Sequence, residues 1–221
     1  MRIFFATDIH GSETCFRKFL NAAQAYQADV LIMGGDITGK MIVPLVAGAG
    51  GTYSFEWLGT PYTTTEEDLP GYEQQMRRAG CYPYRTTPEE AAALRENREE
   101  LQQLFHHILK TSLQEWLILA EERLKGSGSE CYITPGNDDD LAIDEVFDSV
   151  AAVCNPENRL VHIKGEIEMI STGYTNPTPW NSPRELSEEA LKARIESTVS
   201  YTHLRAHETP EHLVCRLLLE K

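Results

Sequence analysis

No stretch of this chain approaches the roughly 20 consecutive apolar residues that a helix needs to cross a bilayer. Met1 to Ala6 is too short for the apolar region of a secretory leader and reads instead as a first strand. Cysteine is scarce and badly spaced: Cys15, Cys81, Cys131, Cys154 and Cys215 are odd in number and contain no CxxC pair. Neither a disulfide framework nor a thiolate zinc site is indicated, which points to a reducing, cytoplasmic compartment. Cations are few, with 20 Lys and Arg against 34 Asp and Glu and a net charge of −14. No basic stripe exists to release counterions from a nucleic-acid backbone or to settle on anionic lipid. No G-x-G-x-x-G follows the first strand, which disfavours a dinucleotide-binding unit.

Against these absences, 221 residues with 41% hydrophobic content suffice for one sizeable α/β domain, with or without a large insertion. The apolar run 2–7 reads as a buried strand. Ser12 can cap a helix over about 12–26, with Phe16, Phe19, Leu20 and Ala23 on one face. Residues 29–33 form a second strand, and the three pieces make a βαβ unit. Residues 41–58 read as a hairpin, while 59–87 is hard to assign, with a short helix over about 65–79. Thr87-Pro88-Glu89-Glu90 starts a helix to about 109, with Leu94, Leu101, Leu104, Phe105 and Ile108 on one stripe. A second helix over 112–125 carries Leu113, Trp116, Leu117, Ala120 and Leu124. A third strand follows at 130–134, then a short helix at 141–149, a hairpin of 159–164 and 166–172, and a helix to about 199. The last segment, 201–221, holds three of the seven histidines and is formally neutral, and it reads as a non-native or disordered tail.

Three short polar motifs stand at strand ends: Asp8-Ile9-His10, Gly35-Asp36 and Gly136-Asn137-Asp138. Asp8 and His10 are two residues apart, so on an extended strand end both can point to one side. Asp36 arrives from the neighbouring parallel strand and Asn137 from a third. Together they deliver carboxylate, imidazole and amide ligands to the carboxyl edge of a sheet, where α/β proteins place their sites. Oxygen and nitrogen ligands of this kind suit a pair of hard or borderline divalent cations (Mn, Fe, Zn or Mg) and the hydrolysis of a phosphate ester.

The ordered set resembles the calcineurin-like metallophosphoesterases, whose pattern is D-x-H, G-D, G-N-H-D/E, a lone H and G-H-x-H. The match covers the first three blocks. The resemblance implies a four-layer α/β/β/α sandwich over about 1–200, with 41–130 as a helical insertion. It implies that Asp8 and His10 hold a first metal, that Asp36 bridges, and that Asn137 holds a second. Where the family carries its phosphate-contacting histidine, this chain has Asp138. That residue is a catalytic general acid raised by the like charges of Asp139 and Asp140, or it caps the following helix or donates a contact to a metal ligand. No G-H-x-H occurs after residue 140. The chain is therefore expected to stop before the second half of the family's sheet, leaving the second metal weakly held and the activity poor. His162 reads as a core or surface histidine and His106-His107 as a solvated face. The expected activity is metal-dependent hydrolysis of a phosphate mono- or diester; the alternative is a non-catalytic module that binds a protein partner, with the insertion as a lid or contact surface. The stiff loop Asn176-Pro177-Thr178-Pro179-Trp180-Asn181 either rims the cleft or packs Trp180 on the domain.

Overall fold

The computed structural model describes residues 1–165 and 167–199. The tail expected over 201–221 lies outside them. The chain is a mixed α/β structure. Strands β1 (Ile3–Ala6), β2 (Val30–Met33), β7 (Glu130–Ile133) and β8 (Val153–Cys154) form an all-parallel sheet in the order β1-β2-β7-β8. Strands β3 (Met41–Ala47), β4 (Thr52–Trp57), β5 (Thr60–Thr65) and β6 (Cys81–Thr86) form a mixed sheet in the order β5-β4-β3-β6. A short antiparallel pair, β9 (Val161–Ile163) and β10 (Ile167–Met169), turns at Gly165 as its sequence suggests.

Register matters most for function. Ala6 lies opposite Met33, and Met33 opposite Ile133. The three strands therefore end level, and the loops bearing the three motifs leave the sheet from one edge. The pleat of β2 sends Leu31 and Met33 to the main core, and Val30 to a smaller cluster with Tyr132 and Ile163 on the opposite face. The β9–β10 pair thus covers that second face beneath β2 and β7. It does not reach β1. Ile3 and Phe5, which point the same way, remain 43% and 61% exposed, so β1 is a half-exposed edge strand and not the buried strand its apolar run suggested.

The main core lies between the parallel sheet and two helices. Ser12 caps α1 (Glu13–Ala25), its Oγ accepting from the Cys15 amide at 3.4 Å. The helix buries Phe16, Phe19, Leu20 and Ala22. Helix α4 (Arg98–Leu124) buries Leu109, Leu113, Leu117, Ala120 and Leu124, a stripe at the 3.6-residue period. Phe16 stacks on Trp116 with ring centroids 4.5 Å apart, joining the two helices.

Two sequence expectations need correction in region 41–130. It is not simply helical, because β3 to β6 and α2 (Leu69–Arg78) build a sheet with its own core of Val43, Leu45, Phe55, Leu69 and Met76. The expected helix break near 110 is also misplaced. Helix α3 (Pro88–Glu96) ends at Asn97, whose extended backbone (φ −111°, ψ 94°) starts α4 while its side chain accepts from the Glu100 amide. An asparagine that can cap overrides the apolar spacing across it. Leu101, placed on the buried stripe by spacing, is 40% exposed in the first turns of α4. A 3₁₀ segment (Leu141–Ser149) and α5 (Glu188–Val199) complete the described chain, and no helix among these residues is long and apolar enough to cross a membrane.

Phe16→Ala is expected to cost about 3–5 kcal/mol, the range for emptying a fully buried aromatic site. Phe5→Ala should cost well under half of that, because its ring is already largely in water. Urea denaturation of both variants measures the contrast.

Candidate metal centre

Asp8, His10 and Asp36 converge. One potential ligand atom from each lies within 4.8 Å of the others. The route is not the extended strand end that the spacing suggested. All three have left-handed backbones, with φ of 54° at Asp8, 42° at His10 and 50° at Asp36. Left-handed φ is costly for residues with a Cβ, and such strain concentrates where function demands it. Backbone bonds hold it in place: the Asp8 amide donates to the Gly35 carbonyl at 3.1 Å, His10 to Asp36 at 2.9 Å, and Gly11 to Ile37 at 2.7 Å. The two motif loops are thereby zipped together beyond the ends of β1 and β2.

His10 Nε2 lies 3.9 Å from Asp8 Oδ1 and 4.0 Å from Asp36 Oδ2, too far for hydrogen bonds. Ligands on one cation with bonds of about 2.0–2.2 Å are separated by roughly 3–4 Å, so these atoms are spaced to share an ion. Its other ring nitrogen, Nδ1, is buried without a hydrogen-bond partner. The donor set therefore fits a divalent cation on spacing and chemistry. Asn137 faces the same cleft of about 270 Å³, with Thr7, Gly34, Gly35, Gly136 and residues 172–175 also lining it. Its Nδ2 donates to Ser182 Oγ at 3.2 Å, which leaves the amide oxygen as its potential ligand. Asp8, His10 and Asp36 thus converge, and Asn137 lines the same cleft as the two aspartates.

Gly136 makes the approach feasible: a Cβ there would overlap the carboxylate and amide of Asp36. A second close approach ties in the mixed sheet. Gly80, just before β6, meets the His10 carbonyl, and Gly39 meets the Gly80 carbonyl; a Cβ at either would collide with the other backbone.

Asp139 was assigned by sequence only as a source of like charge, and this is a correction. Its side chain is fully buried and holds two loops together. It accepts from the amides of Ile37 (3.0 Å), Thr38 (2.8 Å) and Gly136 (2.8 Å) and from Thr38 Oγ1 (2.6 Å). Asp140, not Asp138, caps the following 3₁₀ segment, accepting from the Ala142 amide at 2.8 Å. It also meets His106 Nε2 at 3.1 Å, so His106 is not part of a solvated face. His162, by contrast, lies at the surface of β9, 3.6 Å from Glu168.

Asp138 donates its backbone N–H to Asp36 Oδ1 at 3.1 Å, and its carboxylate forms an ion pair with Lys40. Sequence reading missed Lys40, whose only signal was its place four residues after Asp36. It also missed Arg184, a fully buried cation. Arg184 donates Nε to the Asp139 carbonyl (2.8 Å), Nη2 to the Asp140 carbonyl (3.1 Å) and its amide to the Asn137 carbonyl (3.1 Å), and it pairs with Asp144. Glu157 was missed as well: it accepts from the Gly173 amide at 2.6 Å and from Arg194 at 2.7 Å, pinning the loop that closes the cleft. Nothing in the local sequence marks a lone arginine or glutamate for such duty.

Burial raises the pKa of Asp36 first, and the negative charges of Asp139 and Asp8 add to it; His10 and Lys40 partly oppose them. A bound cation would reverse that balance.

No family model and no curated protein matches the chain. A solved structure is similar to it with a TM-score of 0.46 at 13% sequence identity, over 88% of this chain and 62% of that one. The chain therefore spans less than two thirds of that structure's length.

Because folding raises the Asp36 pKa, the folded state favours its protonated form. That contribution is complete below the ordinary carboxylate pKa and is lost as pH rises through the raised value. Metal-free Asp36→Asn should therefore melt higher than wild type at neutral pH, with the gap closing as pH falls below about 4. Thermal melts across pH in the presence of a chelator test this.

Proposed function

We propose that this chain carries the first half of a calcineurin-like metallophosphoesterase site and hydrolyses phosphate mono- or diesters. The observation that supports the reading is the convergence of Asp8, His10 and Asp36, with Asn137 lining the cleft beside the two aspartates, at the level ends of three parallel strands. The finer architecture proposed is the four-layer α/β/β/α sandwich. The helices over the parallel sheet would be one outer layer, and β9–β10 the beginning of the second sheet. The uncovered Ile3 and Phe5 are the surface which that second sheet would need to cover. Unpaired Cys15, Cys81, Cys131 and Cys154 among the described residues agree with the proposed cytoplasmic setting.

Two divalent cations (Mn, Fe, Zn or Mg) are the proposed cofactors, which Asp8, His10, Asp36 and Asn137 would hold. When bound, such ions polarise phosphoryl oxygens and acidify water for attack on phosphorus. The chain's own residues supply placement. Asp139 and the zipped backbone fix Asp36 and Asp8. Ser182 occupies the Asn137 amide nitrogen and leaves its oxygen free of that bond. Lys40, although paired with Asp138, places an ammonium near Asp36 in a molecule of net charge −14, where an incoming phosphate dianion otherwise meets repulsion. Its pairing with Asp138 holds the ammonium beside the Asp36 loop. A hydrogen bond from that ammonium to a phosphate or leaving-group oxygen grows stronger as charge builds there in the transition state.

The Asp138–Lys40 pair also favours a second reading, because it neutralises the residue standing where the family's histidine works. In that reading the fold is a non-catalytic module and the exposed β1 face meets a protein partner. Hydrolysis separates the two.

Calorimetric titration of the full chain with Mn²⁺ should give binding that Asp36→Asn weakens by more than about a hundredfold, since even outer partners of metal ligands are worth 10–100-fold. Hydrolysis of para-nitrophenyl phosphate and its bis-ester should require Mn²⁺ and vanish in the same variant. Equal silence of both proteins despite tight Mn²⁺ binding would leave the non-catalytic module. Lys40→Gln should raise KM for the dianionic monoester about tenfold, by loss of one charge-assisted bond, and disturb the monoanionic diester less.

A further inference from the structure

Thr175 and Ser182 tie one segment to the cleft. Thr175 lines it, and Ser182 Oγ accepts from Asn137. The segment between them, Asn176 to Asn181, is therefore a rim loop anchored at each end. It is built to be stiff. Pro177 and Pro179 fix two φ angles. Glu185 accepts from Thr178 Oγ1 at 2.5 Å and from the Ser182 amide at 2.8 Å, and their bonds hold its carboxyl down to a pKa of about 2. The Trp180 amide donates to Thr178 Oγ1 at 3.3 Å, and Asn181 closes the turn with a left-handed φ of 51°.

On this frame Trp180 is 83% exposed, the highest value of any large apolar side chain among the described residues. A flexible loop would let the indole fold back onto the domain, but here the stapled backbone holds it out. Only Asn181 separates it from Ser182, so their Cα atoms are at most about 7 Å apart. Through the Ser182–Asn137 bond the Asn137 end of the cleft is tied to the loop that carries the indole. Exposed Asn176 and Asn181 flank it with amide groups able to meet the polar edge of a ring.

We infer that Trp180 is a stacking platform selecting phosphate esters whose organic group carries a planar aromatic ring, such as the base of a nucleotide. This rests on the phosphoesterase reading and deepens it by naming the substrate class. Aromatic stacking on a base typically changes affinity by about tenfold or more. The ring is held by a surface fixed before binding, so little ordering cost offsets the gain.

The test uses the full chain loaded with Mn²⁺ and compares adenosine 5′-monophosphate with ribose 5-phosphate, which share the sugar phosphate and differ in the ring. Calorimetry should give about tenfold tighter binding of the nucleotide. Trp180→Ala should bring the ratio near one without changing Mn²⁺ affinity, and Trp180→Phe should keep most of it. An unchanged ratio in Trp180→Ala, or no ring preference in wild type, overturns the platform while leaving the metal site standing. Ring preference that depends on Trp180 but persists in Asp36→Asn without Mn²⁺ supports the platform and overturns the phosphoesterase reading. Failure of both ligands to bind the Mn²⁺-loaded wild type overturns both.

Discussion

The buried carboxylate of Asp139 holds the site together. It gathers three backbone amides and a hydroxyl from two loops that are about a hundred residues apart in the chain. Donors left unpaired in such a place would each cost on the order of 1–3 kcal/mol. Asp139 removes that cost and, in doing so, fixes Asp36 against Gly136. Arg184 works on the other side of the same loop, holding the carbonyls of Asn137, Asp139 and Asp140. The candidate ligands are thus set by a frame of buried groups that hold their loops. Pre-organisation of this kind is what lets a cation bind without first paying for a rearrangement.

The frame works against two opposing forces. Asp8, Asp36 and Asp139 crowd negative charge into a partly buried region, and three ligands sit in left-handed backbone conformations. Both are unfavourable in the metal-free chain. What offsets them lies elsewhere: the Phe16–Trp116 stack, the α4 stripe and the level parallel strands. Stability is drawn from the core and spent as strain at the rim, the usual distribution in a molecule built around a site.

Much of this was legible in the sequence. The βαβ unit, the 41–58 hairpin and the convergence of Asp8, His10 and Asp36 follow from apolar runs ending in short polar motifs, since strand ends and tight turns are local properties. What was not legible depended on partners distant in the chain. The Asn97 break was misplaced because apolar spacing continues across it. β5 and β6 were missed because Thr, Pro and Tyr in 59–87 give no clear alternation. The edge position of β1 could not be read from an apolar run, which looks the same whether or not a neighbouring layer covers it. Arg184, Glu157 and Lys40 are ordinary charged residues until the fold brings them to the loops they hold, and the roles of Asp139 and Asp140 exchange weight only when their directions are known.

The meeting of Gly80, Gly39 and His10 has a mechanical consequence. Three backbone segments touch there with no side chain between them, so the joint has no slack. A shift of the mixed sheet cannot be absorbed by rotamer changes and must pass straight into the His10 carbonyl. Whatever pushes on the 41–130 region therefore pushes on an imidazole that faces two carboxylates, and the distant sheet becomes a lever on the spacing of the ligands.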